Sequence, residues 1–412
     1  MDEDEEISPT QEIDFCTLGM LIIDEIHYLP PREPVFNILG GAGSYSALGA
    51  RLFSPPPFSK TISWIVDKGS DFPPTVHSQI SSWQSSCLFR SDATRLTTRG
   101  WNGYDLSQNR SFAYKTPKLR LDANSLTPTL LFSKSFHLCC SPTRCIELVT
   151  SILRRRKALH PGTGKPLFIW EPVPDLCTPS ELLNTTNALP YIDICSPNHA
   201  ELGALMGDDM PPSPTSPSTP TPPFDPAAVE RSCEQLLGSM PLQSFALVIR
   251  CGAAGCYIAK NGGRSRRPSV VKRPRPRNHA RGGLTHDTDM EALFAGLMNG
   301  DGSFEREIVP VDPGIETWLP AVFTADAKSK NAEESGNGAR DHERVVDPTG
   351  GGNAFLGGLA VGLARGKEVL DAAVWGSVAA SFAIEQVGIP ILGVDAEGVE
   401  TWNGVRVEER LN

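Results

Sequence analysis

A run of three glycines between a β-branched stretch and an apolar helix does most to limit how this chain can fold. It reads Val345-Val346-Asp347-Pro348-Thr349-Gly350-Gly351-Gly352-Asn353-Ala354-Phe355. The β-branched pair ends at a turn, and residues 353–365 then carry Phe355, Leu359 and Leu363 on one helical face. Glycines let several backbone N–H groups converge on one point, and a helix start adds partial positive charge there. Such a junction suits a phosphate or another anion. It equally suits a tight turn whose glycines permit close packing.

Elsewhere the chain alternates in a similar way. Residues 15–23 read as a buried strand, 44–53 as a helix opened by glycines, 167–170 and 191–195 as short apolar strands, and 198–206 as a helix. Residues 245–249 and 256–259 read as strands around a glycine turn, and Leu370, Val374, Val378 and Phe382 form an apolar stripe on a last helix. Strand–helix alternation predicts a mostly parallel sheet covered on both faces. Short alternating pieces over about 88–115, with 25–38, are candidates for a half-exposed β lid.

Three stretches break the alternation. Residues 211–226 hold eight prolines among Ser and Thr, 261–307 open with a basic run over 264–281 and turn glycine-rich, and 326–343 are polar. None has a sustained apolar period, so ordering them would cost more chain entropy than burial returns. With the acidic residues 1–12 they are expected to be disordered. The expectation is one domain over 13–412 with inserts at about 208–228, 261–307 and 326–343, since loop insertions cost little.

The 412 residues, 40% apolar and 21% charged, supply ample material for a core, and the net charge of -10 argues against non-specific nucleic-acid binding by the whole chain. The ten cysteines include no C-x-x-C pair and no zinc spacing, which fits a reducing compartment. Met1 to Glu6 are acidic, unlike a signal peptide, and the near-apolar stretch 354–364 is too short to span a bilayer. A cytoplasmic protein without a membrane partner is the expectation, with a nuclear address as the alternative reading of the basic run. His160-Pro161-Gly162-Thr163-Gly164-Lys165-Pro166 lacks the spacing of a Walker A loop.

Four further stretches place polar residues at strand ends. Gly19 and Asp24 close the first strand, where a carboxylate can accept two hydrogen bonds from a diol or cap a turn. Gly40-Gly41-Ala42-Gly43-Ser44-Tyr45 opens a helix ending Ala50-Arg51-Leu52, as a flexible entry or as the floor of a ligand site. Ser196-Pro197-Asn198-His199-Ala200-Glu201 fits a helix capping box, and equally a pair of oxygen ligands for a hard cation. Arg250-Cys251-Gly252-Ala253-Ala254-Gly255 is a glycine turn between two strands.

In order along 15–390, these five stretches resemble the PfkB/ribokinase-type carbohydrate kinase family, nearest to its fungal maintenance-of-killer branch. The glycine run is similar to the family's second signature, usually D-T-x-G-A-G-D before an apolar helix. The resemblance implies a ribokinase-like three-layer α/β/α sandwich with a mostly parallel sheet and a small β lid. It implies transfer of the ATP γ-phosphoryl to a hydroxyl of a sugar, nucleoside or related small alcohol. Gly350, Gly351 and Gly352 would form the anion hole. Arg250, Gly252, Gly255, Asp347 and Thr349 would meet the nucleotide, and Asn198 and Glu201 would organise Mg²⁺ through water. Asp24, Gly40, Gly41 and Tyr45 would meet the acceptor. A monovalent cation and a homodimer are further expectations of the same kind. Arg110-Ser111-Phe112-Ala113-Tyr114 resembles the lid strand, and Trp170-Glu171-Pro172 stands where the family often has Asp-Pro.

Three positions depart from the family pattern. Tyr45 replaces an Asn, Arg250 replaces a Thr, and Asn353 stands at the position of the family's catalytic aspartate. An amide has no useful basicity, so three readings stay open: a slow kinase, a stand-in carboxylate such as Asp347 or Asp24, or ligand binding without turnover. The rival reading is a non-catalytic scaffold that docks protein partners through the Pro-rich and basic inserts.

Overall fold

The computed structural model describes residues 11–104, 110–207, 224–264, 290–291, 311–323 and 344–411. The chain divides into two compact units, Met1–Lys260 with Glu316–Asn412, and Asn261–Ile315. In chain order, strand β1 (Phe15–Thr17) is followed by β2 (Ile22–His27), β3 (Val35–Gly40), helix α1 (Ala42–Leu52), β4 (Ile62–Lys68), α2 (Pro74–Ser82) and β5 (Ser86–Ser91). Next come β6 (Arg99–Tyr104), β7 (Arg110–Tyr114), α3 (Pro128–Leu131), β8 (Ser135–Cys140), α4 (Pro142–Leu159), β9 (Leu167–Pro172), α5 (Leu182–Ala188) and β10 (Ile194–Cys195). Then follow α6 (His199–Met206), α7 (Pro226–Ser239), β11 (Ala246–Arg250), β12 (Cys256–Lys260), β13 (Gly263–Arg264), β14 (Val311–Asp312) and β15 (Ile315–Leu319). The chain closes with α8 (Gly351–Ala364), α9 (Val369–Ala383) and the hairpin β16 (Leu392–Val394) and β17 (Glu400–Trp402).

Among the described residues, nine strands form the main sheet in the order β15-β12-β11-β10-β9-β8-β1-β4-β5. Every pairing from β11 through β5 is parallel, and β12 runs antiparallel to β11. Alternation along each strand sorts side chains between two helical layers. Phe136, Leu138, Phe168 and Trp170 join Leu148, Val149 and Ile152 of α4 in one core cluster. On the opposite face, α8 packs on β1, β8 and β9 and is flanked by α1 and α9. The contact between α1 and α8 depends on two missing side chains. A Cβ at Gly49 would run into the carbonyl of Ala354, and one at Gly357 into that of Ser46. A separate four-stranded sheet, β3-β2-β6-β7, forms the lid. The mostly parallel sheet, its helical layers and the small lid make the ribokinase-like α/β fold that the sequence predicts.

Several boundaries differ from the sequence reading. The expected strand over 15–23 is two strands in different sheets, broken at Gly19, where the backbone lies against that of Gly43. Residues 88–91 pair in parallel with β4 in the main sheet, so the lid takes 99–104 and 110–114 together with β2 and β3. The stripe on α9 is half wrong. Val378 and Phe382 are buried, but Leu370 and Val374 are 36% and 39% exposed. The helix instead buries its small residues Ala372, Ala373, Gly376 and Ala379, because the glycines of α8 allow close approach.

Among the expected inserts, residues 208–223, 265–289, 292–310 and 324–343 lie outside the described residues, as do 1–10 and nearly all of the basic run. The first insert is shorter than expected, since the Asp225 side chain caps α7. In the smaller unit, Gly263 pairs with Asp312 and Arg264 with Val311 in an antiparallel ladder. No helix among the described residues is long and apolar enough to cross a membrane.

Candidate active site

The C-terminal ends of the parallel strands open on a cleft of about 850 Å³. Ligands bind at this edge of open α/β sheets, where strands end and helices begin. Asn198 and Glu201 reach it from the start of α6, Arg250 and Gly252 from the end of β11, and Asp347, Thr349, Gly350, Gly352 and Asn353 from the entry to α8. Tyr28 and Arg32 face it from the loop after β2, with the Arg32 guanidinium 3.6 Å from the centre of the Tyr28 ring.

The entry to α8 is set by Gly350, whose φ of 80° is left-handed and whose missing Cβ makes room for the Tyr45 ring. Gly351 donates its N–H to the Pro348 carbonyl at 3.3 Å, and Ala354 donates to Gly350 at 2.9 Å. Between them, the N–H groups of Gly352 and Asn353 have no backbone acceptor among the described residues. The Asp347 carboxylate accepts the Thr349 N–H at 2.9 Å and closes the turn.

Below this helix start lies a buried polar row. Thr17, His137 and Glu171 share one face of the adjacent strands β1, β8 and β9. His137 contacts Thr17 Oγ1 through Nδ1 at 2.9 Å and Glu171 Oε2 through Nε2 at 3.3 Å. With Nε2 donating to Glu171, Nδ1 can accept from the Thr17 hydroxyl. Glu171 Oε2 also accepts the Asn353 amide Nδ2 at 2.5 Å, while Oε1 meets Arg250 Nη1 at 2.8 Å. Burial alone would raise the Glu171 carboxyl, but Arg250 and His137 outweigh it and lower it from 4.5 to about 2. Glu201 shifts the other way. Burial pushes its carboxyl up, because Arg250 Nη2 stands off at 3.5 Å.

The expected metal pair forms a capping box. Asn198 Oδ1 accepts the Glu201 N–H at 2.8 Å, and Glu201 Oε2 accepts the Asn198 N–H at 2.8 Å. Arg250 already neutralises part of the carboxylate charge nearby. No group of three or more His, Cys, Asp or Glu among the described residues could hold a metal ion. As built, these oxygens form no dedicated divalent-ion cage.

The expected acceptor residues gather at the root of the lid. Asp24 is buried between Gly40 and Gly100, and a Cβ on either glycine would strike its carboxylate. Tyr45 is buried beneath Gly350, so it supports the turn. Gly41, with φ 90°, caps α1 beside Met20 and Ile22. Gly255 lies against the Leu319 carbonyl and, with Gly252 and Gly351, lines a second, mostly apolar cleft of about 230 Å³ that includes Ala321, Phe323 and Phe355.

The sequence pattern described as pfkB family carbohydrate kinase matches residues 327–391. The MAK32 protein of Saccharomyces cerevisiae is 31% identical over 407 residues, covering 96% of this chain and 90% of that protein. The chain belongs to the PfkB carbohydrate kinase family, in the maintenance-of-killer branch. An uncharacterized protein of Schizosaccharomyces pombe is 28% identical over 404 residues, 98% of this chain and 93% of its own length. The ribokinase of Cryptococcus neoformans, solved in complex with ADP, shares the fold. Its TM-score is 0.54 at 17% identity, over 97% of this chain and 100% of that one.

Against this PfkB background, two departures meet in space. Asn353, in place of the family aspartate, touches Glu171, and Glu171 holds Arg250, in place of the family threonine. Sequence reasoning noted Glu171 only as a faint match and missed Thr17 and His137. Their one signal was a polar residue inside otherwise apolar strands.

Proposed function

We propose that the protein binds ATP in this cleft and transfers its γ-phosphoryl group to a hydroxyl of a sugar, nucleoside or related small alcohol, at a rate held down by Asn353. The observation that carries this reading is the convergence of three helix and strand ends on one cleft, with open N–H groups at the start of α8. Phosphoryl transfer depends mainly on positioning and on charge stabilisation, both of which backbone donors and a nearby guanidinium provide. The adjoining apolar cleft suits the flat, weakly polar base of the nucleotide.

Asn353 orients the acceptor without deprotonating it. Its Nδ2 is committed to Glu171, which leaves Oδ1 to accept a hydrogen bond from the incoming hydroxyl. The missing general base costs about 10²–10⁴ in rate. Glu171 is no substitute, because Arg250 and His137 hold its carboxyl at about 2. Asp347 is committed to its turn, and Asp24 is not among the residues that line the cleft. The same interlocked contacts favour a second reading, a ligand-binding protein without turnover.

A phosphotransfer screen over sugars and nucleosides separates the two. A direct Asn353→Asp change would set two carboxylates against each other, so it is run beside the swapped pair Asn353→Asp with Glu171→Gln. Under the kinase reading the swapped pair turns over about 10²–10⁴ times faster than the native chain on one acceptor class. ATP binding with no transfer in either variant favours the binder. Absence of ATP binding at millimolar concentration removes both readings.

A further inference from the structure

The guanidinium of Arg250 lines the cleft beside the start of α8. A Cβ on Gly352 would collide with Arg250 Nη1, so the cation lies directly against the first turn of α8. It is fixed from three sides: Nη1 meets Glu171 at 2.8 Å, and Nη2 donates to the Ser196 carbonyl at 2.9 Å and faces Glu201 at 3.5 Å. A guanidinium has five N–H donors, more than these contacts use. Its Nε is buried with no acceptor among the described residues.

We propose that Arg250 is a built-in counter-cation for the nucleotide polyphosphate, so that the protein holds ATP at the start of α8 without a divalent ion. The inference rests on the nucleotide reading above and goes further, because it sets the metal dependence of the site. Arg250 offsets carboxylate charge from Glu171 and Glu201 at the base of the cleft, and Arg32 adds a second guanidinium to its lining. A hydrated divalent ion approaching Glu171 or Glu201 would meet the Arg250 cation, and at Glu201 Oε2 it would compete with the cap hydrogen bond from the Asn198 N–H. A planar, permanently charged guanidinium also matches phosphate oxygens better than an ammonium does.

The test is binding of ATP to the full chain, measured by calorimetry in excess Mg²⁺ and again in EDTA. The native protein is expected to bind within about threefold in the two conditions. Arg250→Thr is expected to lose about ten- to a hundredfold in EDTA, the worth of charge-assisted hydrogen bonds, and to recover much of it with Mg²⁺. Since that variant leaves two carboxylates without their cation, Arg250→Lys is measured beside it. It keeps the charge and is expected to fall between native and Thr in EDTA. A native protein whose binding drops tenfold or more in EDTA overturns the inference while sparing the nucleotide reading. Equal binding by native protein and Arg250→Thr in EDTA overturns it as well. Failure to bind ATP in either condition removes both.

Discussion

Asn353 and Glu171 share one short hydrogen bond, and this governs what can be changed at the site. In Asn353→Asp, two carboxylates at that distance must share a proton, which raises the folded-state pKa of one of them. Stability linked to a raised carboxyl pKa is present at low pH and lost as pH rises through it. Thermal unfolding of Asn353→Asp is therefore expected to approach that of the native chain near pH 4 and to fall behind as pH increases to 7. A deficit independent of pH would contradict this. Glu171 itself has the opposite sign. Its carboxyl is depressed from 4.5 to about 2, so its contribution is complete above 4.5 and disappears as pH falls toward 2. Glu171→Gln should be less stable at neutral pH and lose less than the native chain over that acid window, read by denaturant midpoints at each pH. The Glu171 contacts were hidden in the sequence. Thr17, His137 and Glu171 are far apart along the chain and meet only through the register of three parallel strands.

At the scale of elements, α8 combines the proposed binding end with a largely enclosed body. Gly351 and residues 354–362 are buried, against α1 on one side and α9 on the other. Gly357→Ala should destabilise the protein by about 1–3 kcal/mol, because the methyl meets the Ser46 carbonyl and two helices must separate. An unchanged denaturant midpoint would show that the helices are not held so closely. The glycine turn and the helix after it were legible because their residues are consecutive. The buried face of α9 was misread because its contacts are made by alanine and glycine, while the bulky Leu370 and Val374 that suggest a stripe stand partly in solvent. Likewise, the apolar run at 15–23 gave no sign that Gly19 divides two sheets, beyond the glycine itself.

For the whole molecule, the order of family motifs was readable and their assembly followed, since parallel strands place consecutive loops along one sheet edge. The insert boundaries were less readable, because proline content does not mark where a helix cap begins. The Asp225 carboxylate accepts the Ala227 N–H at 3.0 Å. Replacing residues 209–223 by a flexible linker of about six Gly and Ser residues should leave the unfolding temperature nearly unchanged. Extending the deletion through 228 removes the cap and first turn of α7 and should cost about 1 kcal/mol or more. Equal unfolding temperatures for the two deletions would disprove the role of Asp225.

The far turns of α8 are packed between α1 and α9, while Asn353 at its tip is tied to the sheet through Glu171. A lineage with this arrangement cannot exchange the group at position 353 alone, because the strand residue beneath must change with it, so that an enzyme and a receptor on this frame would stand two codons apart.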